Sequence, residues 1–189
     1  MRTSRDAWTI IREGFGSNLM AMALSTLGGA VLNSRVEALL ALPALLAMAP
    51  PLADMAGDFG TVIGARLATA LKLGYIRPRV LYRSPVLRKN VVAVLITGLF
   101  ASLYLGVAVL TVSFISGIPL IDPMKLIGVG FISGTMLVVV TIVFGVALSA
   151  FSMRRGRDPA DTTIPIITSV ADMIGAIFLL LAALLLNVI

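Results

Sequence analysis

Long stretches without a charged residue alternate with short polar segments along this chain. Uncharged runs cover Gly14 to Ser34 (21 residues), Asn90 to Ile121 (32) and Leu126 to Met153 (28). Each exceeds the roughly 20 residues that a helix needs to cross a bilayer, so each predicts a membrane span. A fourth segment, from about Val36 to Leu73, is as long but is interrupted in the middle by Pro50, Pro51, Asp54, Gly57, Asp58 and Gly60. A fifth runs from about Thr162 into an unbroken apolar tail, with Asp172 as its one ionisable group after Thr162. The pattern therefore predicts an all-α, polytopic protein whose five spans lie roughly at 15–33, 36–73, 90–115, 124–152 and 162–187, with the second broken by Pro and Gly. Residues 1–14 carry Arg2, Arg5, Asp6, Arg12 and Glu13 and lack the immediate apolar core of a signal peptide, so they read as a retained, short interfacial helix. The whole chain, 1–189, reads as one transmembrane domain.

Composition agrees with this reading and removes several chemistries. Hydrophobic residues make up 59% of the chain and charged residues 13%, which is far from an ordinary globular domain. The formal charge of +6 does not point to nucleic acid, because the basic residues fall between apolar runs rather than along one soluble face. With no cysteine and no histidine, disulfides, thiolate catalysis, Ser-His triads and the usual zinc or iron ligands are all excluded. Only oxygen ligands remain, and these suit hard cations such as magnesium, calcium or manganese.

The basic residues also predict an orientation. Lys72, Arg77, Arg79, Arg83, Arg88 and Lys89 lie between the second and third spans, and Arg154, Arg155 and Arg157 between the fourth and fifth. The opposite loops carry only Arg35 and Lys125. Short Lys/Arg-rich loops stay cytoplasmic, so the expected protein is a multi-pass component of the cell membrane with its N-terminus inside and its C-terminus outside. The basic loop from Lys72 to Lys89 needs no role beyond topology and contact with anionic lipid. The segment Ser116-Gly117-Ile118-Pro119-Leu120-Ile121-Asp122-Pro123 has the composition of an outside turn.

Asp172 is the position with most to explain. Ten residues at about 1.5 Å each from Thr162 put it roughly 15 Å deep, the middle of a ~30 Å hydrocarbon core. A carboxylate there costs several kcal/mol unless it is compensated, so it marks a candidate functional site, the ordinary alternative being a neutral hydrogen-bonding strut. Asp54 and Asp58 are one helical turn apart, where like charges repel, and a cation or protonation makes that arrangement tolerable. Their ordinary reading is as caps of a half-helix after Pro50-Pro51. Gly57, Gly60 and Gly64, extended by Ala53 and Ala68, form a small-residue stripe for close helix packing, and so do Gly98, Ser102 and Gly106. Arg66 reads as a snorkelling side chain at the inner interface, in preference to a partner for a nearby acid. Acids at mid-depth without a basic partner point to a cation site. Magnesium keeps much of its hydration and is held by few carboxylates, which fits best. A two-fold dimer would present Asp172 twice, and two facing carboxylates tolerate each other when a cation lies between them.

At these residues the chain resembles the membrane domain of the MgtE-type magnesium transporters and the related animal solute-carrier magnesium transporters. One piece of the resemblance is Pro50-Pro51-Leu52-Ala53-Asp54-Met55-Ala56-Gly57-Asp58-Phe59-Gly60, continuing through Gly64-Ala65-Arg66-Leu67-Ala68-Thr69-Ala70 to Gly74. The other is Asp158-Pro159-Ala160, followed by Pro165, Thr168, Asp172 and Gly175. The resemblance implies a homodimer in the lipid bilayer with a central pore, Asp172 of each protomer binding hydrated magnesium and the backbone carbonyl of Thr168 contributing. Asp58 stands where the family usually has Asn, and Ile164 where bacterial members can carry a polar ligand. The large cytoplasmic magnesium-sensing domains of the bacterial members are not expected, since about a dozen residues precede the first span.

The expected function is thus a divalent-cation transporter or channel, not an enzyme, with Asp172, Asp58, Asp54 and Thr168 as metal-site residues and magnesium as the transported ion, calcium or manganese being the other candidates. An inside-negative potential of 100 mV favours entry of a doubly charged ion by about 4.6 kcal/mol, so import needs no coupled ion, whereas a sodium-coupled magnesium exchanger is the alternative mechanism. Two further rivals are an intramembrane aspartyl protease, whose motifs Gly57-Asp58-Phe59 and Pro43-Ala44-Leu45 echo, and a non-transporting membrane subunit. The protease reading fails on motif order, on the missing Tyr-Asp pair and on the small number of spans.

Overall fold

The computed structural model describes residues 7–76, 84–119, 122–155 and 159–189. Arg77, Arg79, Arg83, Arg157 and Asp158, which entered the orientation and motif arguments, lie outside the described residues. Among those described, six helices follow one another: α1 (Ala7–Asn33), α2 (Val36–Ala41), α3 (Pro43–Lys72), α4 (Pro85–Ile115), α5 (Pro123–Arg154) and α6 (Pro159–Leu185). α3, α4, α5 and α6 all begin on a proline, whose missing N–H is no loss in the first turn and whose fixed φ suits it. Ser84 Oγ accepts from the Val86 N–H at 3.2 Å and Asp122 Oδ1 from the Met124 N–H at 3.0 Å, capping α4 and α5. Gly74 and Gly117, at φ +75° and +66°, turn the chain out of α3 and α4. The carbonyls of Ala70 and Ser113 there accept from the Tyr75 and Ile118 N–H groups at 2.9 and 3.0 Å.

Four helical stretches, Gly14–Asn33, Pro85–Ile115, Pro123–Arg154 and Thr163–Leu185, are long and apolar enough to cross a membrane by length and composition. α3 is equally long, but Pro50, Pro51, Asp54 and Asp58 dilute its apolar run. It is nonetheless part of the bundle's core, packing on α4, α5 and α6, as α5 packs on α3, α4 and α6. Leu45, Met48, Leu52, Ala56 and Ile63 on α3 are fully buried, joined by Leu126, Val129 and Leu137 of α5 and by Leu179, Ala182 and Ala183 of α6.

Two expectations are corrected. The second apolar segment is broken at Leu42 and not at the Pro50-Pro51 pair. Leu42, with φ −128° and ψ 71°, leaves helical geometry because the ring of Pro43 disfavours the α conformation in the residue before it. Pro50 and Pro51 are carried inside a continuous α3, so Asp54 and Asp58 cap no half-helix there. Their missing N–H groups release the carbonyls of Leu46 and Ala47 from the helical ladder. Residues 7–14 are likewise not a separate interfacial helix but the first turns of a continuous α1.

The small-residue stripes set the packing. Along the seam between α3 and α6, Ala53 meets Gly175, Gly57 meets Thr168 and Ala171, Gly60 meets Ile167, and Gly64 meets Thr163, which makes the two helices antiparallel. Between α4 and α5, Gly98 faces Val138, Ser102 faces Gly134, and Gly106 faces Gly130 and the backbone of Ile127. Lys72, Arg88, Lys89, Arg154 and Arg155 consequently share one end of the bundle, and Lys125 lies at the other, its Nζ donating to the Asn187 carbonyl at 3.0 Å.

Candidate functional site

α6 has 27 residues, about 40 Å at 1.5 Å each, and Asp172 lies roughly 20 Å along it, at its midpoint. Ile164, Thr168 and Asp172 recur every four residues and so share one face of α6, on which Ile164 and Asp172 are exposed and Thr168 is half-buried. The Thr168 hydroxyl turns back along its own helix, donating to the carbonyls of Pro165 at 3.0 Å and Ile164 at 3.2 Å. Its hydroxyl proton is thereby engaged, while the hydroxyl oxygen keeps its lone pairs and the backbone carbonyl has one beyond that used in the helical ladder.

Asp54 and Asp58 lie beside this face. Gly57 rests against Thr168 and Ala171, with an added Cβ only 3.4 Å from the Thr168 Cα, and Ala53 lies under Gly175. The two acids flank these contact residues along α3, which sets them at the level of Thr168 to Gly175. Both are exposed, and among the described residues neither carboxylate has a hydrogen-bonding or ionic partner. The structure thus brings the four sequence-derived site residues to adjoining faces of two packed helices at mid-length. It does not gather them into one cage: among the described residues no three acidic side chains come close enough to hold a metal ion. Arg66 is not near them either. Its Nη1 donates to Asn90 Oδ1 at 3.2 Å on α4, and among the described residues no acid pairs with it.

One residue escaped the sequence reading. Ser25 of α1 donates its hydroxyl to Asp172 Oδ2 at 2.7 Å. Three residues on, Gly28 lets α1 lie directly on the α6 backbone, where an added Cβ would stand 3.0 Å from the Asp172 carbonyl oxygen and from Met173 Cα. The signal in the sequence was a serine one turn before a glycine in a helix of otherwise apolar character, which is too common to stand out.

An exposed acidic face at mid-helix, built only of oxygen donors and backed by small-residue packing, can attract and partly coordinate a hard cation. No curated protein matches the chain closely enough to count as a relative. The family profile described as MgtE, divalent cation transporter, matches residues 49–182, from the turn before Asp54 to beyond Asp172. The chain therefore belongs to the MgtE family of divalent cation transporters.

Proposed function

We propose that the protein is a homodimeric magnesium transporter or channel in which Asp172 of each protomer faces a shared ion path, with the Thr168 carbonyl beside it and Asp54 and Asp58 at the entrance or at a second ion position. The observation that carries this reading is the exposure of Asp54, Asp58 and Asp172 on adjoining mid-length faces of α3 and α6. Hydrocarbon cannot lie against three carboxylates, because each would lose its hydration without a replacement. A second copy related by a two-fold axis covers the face and doubles the ligands, converting a protomer with too few donors into a site with enough. In this arrangement α3 is a fifth crossing, shielded by the dimer on its acidic side. Its dilute hydropathy then follows from facing an aqueous path rather than lipid.

Magnesium suits the site better than calcium, since two carboxylates and a pair of carbonyls leave room for the waters that magnesium retains. The end of the bundle that collects Lys72, Arg88, Lys89, Arg154 and Arg155 is the cytoplasmic one in this reading, with the N-terminus inside. The inside-negative potential then drives entry by about 4.6 kcal/mol per 100 mV for a divalent ion, without a coupled ion.

The experiment is magnesium uptake into liposomes by wild type and Asp172→Asn, each at matched reconstitution. The expected result is uptake by wild type and its loss in the variant. Equal uptake by the two would remove Asp172 from the ion path, and monomers in mild detergent and in bilayers would remove the shared site.

A further inference from the structure

We infer that Ser25 of α1 is a positioning residue for the ion site, holding the Asp172 carboxylate by Oδ2 so that Oδ1 is available to the ion. This rests on the proposed function of Asp172. The hydroxyl of Ser25 lies 2.7 Å from Oδ2, the length of a direct O–H···O hydrogen bond. No other hydrogen bond or ion pair reaches Asp172 among the described residues.

The direction of that hydroxyl is the informative point. A serine or threonine inside an apolar helix ordinarily donates to a carbonyl one turn back. Thr26, the next residue, does so to the Met22 carbonyl at 2.8 Å, as do Thr97 to Ala93, Ser102 to Gly98, Thr111 to Val107 and Ser133 to Val129. Ser25 instead donates across the helix interface to Asp172. The local need of its hydroxyl could have been met within α1, so the interhelical bond is tied to the carboxylate.

The backbone makes the donor rigid. Gly28 seats α1 on the Asp172 carbonyl and on Met173 Cα, leaving Ser25 a single side-chain torsion with which to find Oδ2. The chief tertiary neighbour of α1 is α6. Much of the rest of its surface is exposed, including Phe15, Leu19 and Met22 at 70%, 59% and 68%. α1 also lies outside residues 49–182, the segment that carries the family match. The first helix, on this inference, completes the site by fixing which way its carboxylate points. Groups that orient a metal-binding side chain typically change affinity by about 10- to 100-fold when removed.

The test measures magnesium uptake against magnesium concentration for the full chain in liposomes, with Ser25→Ala, Ser25→Thr and Ser25→Cys beside wild type, and the melting temperature of each without magnesium. Ser25→Ala should raise the half-saturating concentration by about 10-fold at unchanged melting temperature. Ser25→Thr, which keeps the hydroxyl, should restore it. Ser25→Cys, similar in size but a weak donor, should behave like Ser25→Ala. Half-saturation at the wild-type value in both Ser25→Ala and Ser25→Cys would overturn the positioning role and leave the proposed function standing. Equal impairment of Ser25→Thr and Ser25→Ala would overturn it as well, assigning Ser25 to packing. Wild type that carries no divalent ion would overturn the proposed function, and this role with it.

Discussion

Two seams in the bundle are built by the same device and serve different ends. Between α4 and α5, Gly98, Ser102 and Gly106 meet Val138, Gly134 and Gly130; between α3 and α6, Ala53, Gly57, Gly60 and Gly64 meet Gly175, Thr168 with Ala171, Ile167 and Thr163. Both use small residues at three- or four-residue spacing to bring backbones together, as membrane helices do when apolar burial no longer drives association. Around the first seam the hydroxyls of Ser102, Ser133 and Thr141 all bond back to carbonyls of their own helix. The second is bordered by Asp54, Asp58 and Asp172, all exposed. Close packing alone therefore says nothing of ion handling. What distinguishes the second seam is charge that the protomer leaves uncovered.

The largest effect expected from breaking this contrast is that of Asp172→Asn. The substitution keeps shape and removes charge, so uptake should fall by at least about 100-fold, above what loss of an orienting neighbour costs. The same variant gives a binding readout independent of transport. At magnesium 100 times its dissociation constant, wild type should gain about 2.7 kcal/mol of stability by mass action, and Asp172→Asn none. Thermal unfolding in detergent with and without magnesium measures this, and an equal gain in both proteins would move the binding site elsewhere.

Gly106→Ala should produce the opposite profile. Its Cβ would stand 2.8 Å from the Ile127 carbonyl oxygen and 2.9 Å from Ile127 Cα, and a backbone cannot rotate away as a side chain can. Overpacking of this kind costs about 1–3 kcal/mol, more than the roughly 1 kcal/mol that alanine gains over glycine in helix propensity. The expected outcome is a lowered melting temperature with the half-saturating magnesium concentration of the folded fraction unchanged. A shifted half-saturation with normal stability would mean that the α4–α5 seam, too, feels the ion.

The two seams were legible in the sequence to different degrees. Glycine spacing announced both, because a three- or four-residue period survives in any register of a helix. The three long uncharged runs announced α1, α4 and α5, since length and apolarity alone specify a span. The course of α3 was harder. Pro50-Pro51 is a helix breaker by local rules, yet the helix runs through it, held by burial of Leu45, Met48 and Leu52 on either side, while the actual break fell at Leu42. Tertiary packing overrode propensity there. Asp172 stood out because a carboxylate in an apolar helix is rare, and Ser25 did not, because serine in such a helix usually satisfies itself. Its role depends on a partner 147 positions away, which no local pattern encodes.

The smallest effects belong to two glycines of the α3 stripe, and they test the contrast most finely. At Gly60 an added Cβ would meet Ile167 Cγ2 at 2.6 Å and the Thr141 carbonyl oxygen at 3.0 Å. Ile167 is fully buried and β-branched, so its methyl has little freedom to move, and Gly60→Ala should cost about 1–2 kcal/mol. At Gly57 the nearest atoms, Thr168 Cα and Cγ2, lie 3.4 Å from the added Cβ, which is close to ordinary contact. Here the roughly 1 kcal/mol propensity gain of alanine offsets the slight crowding, so the melting temperature of Gly57→Ala should stay near that of wild type. Thr168 nonetheless sits one turn from Asp172 on the same face of α6. If the seam only supports the site, uptake by Gly57→Ala should remain within a few-fold of wild type, in keeping with a shift of α6 by tenths of an ångström. Loss of uptake as deep as that of Asp172→Asn, at unchanged stability, would show that the α3–α6 seam is itself part of the ion path, and that packing and charge are not separable in this half of the molecule.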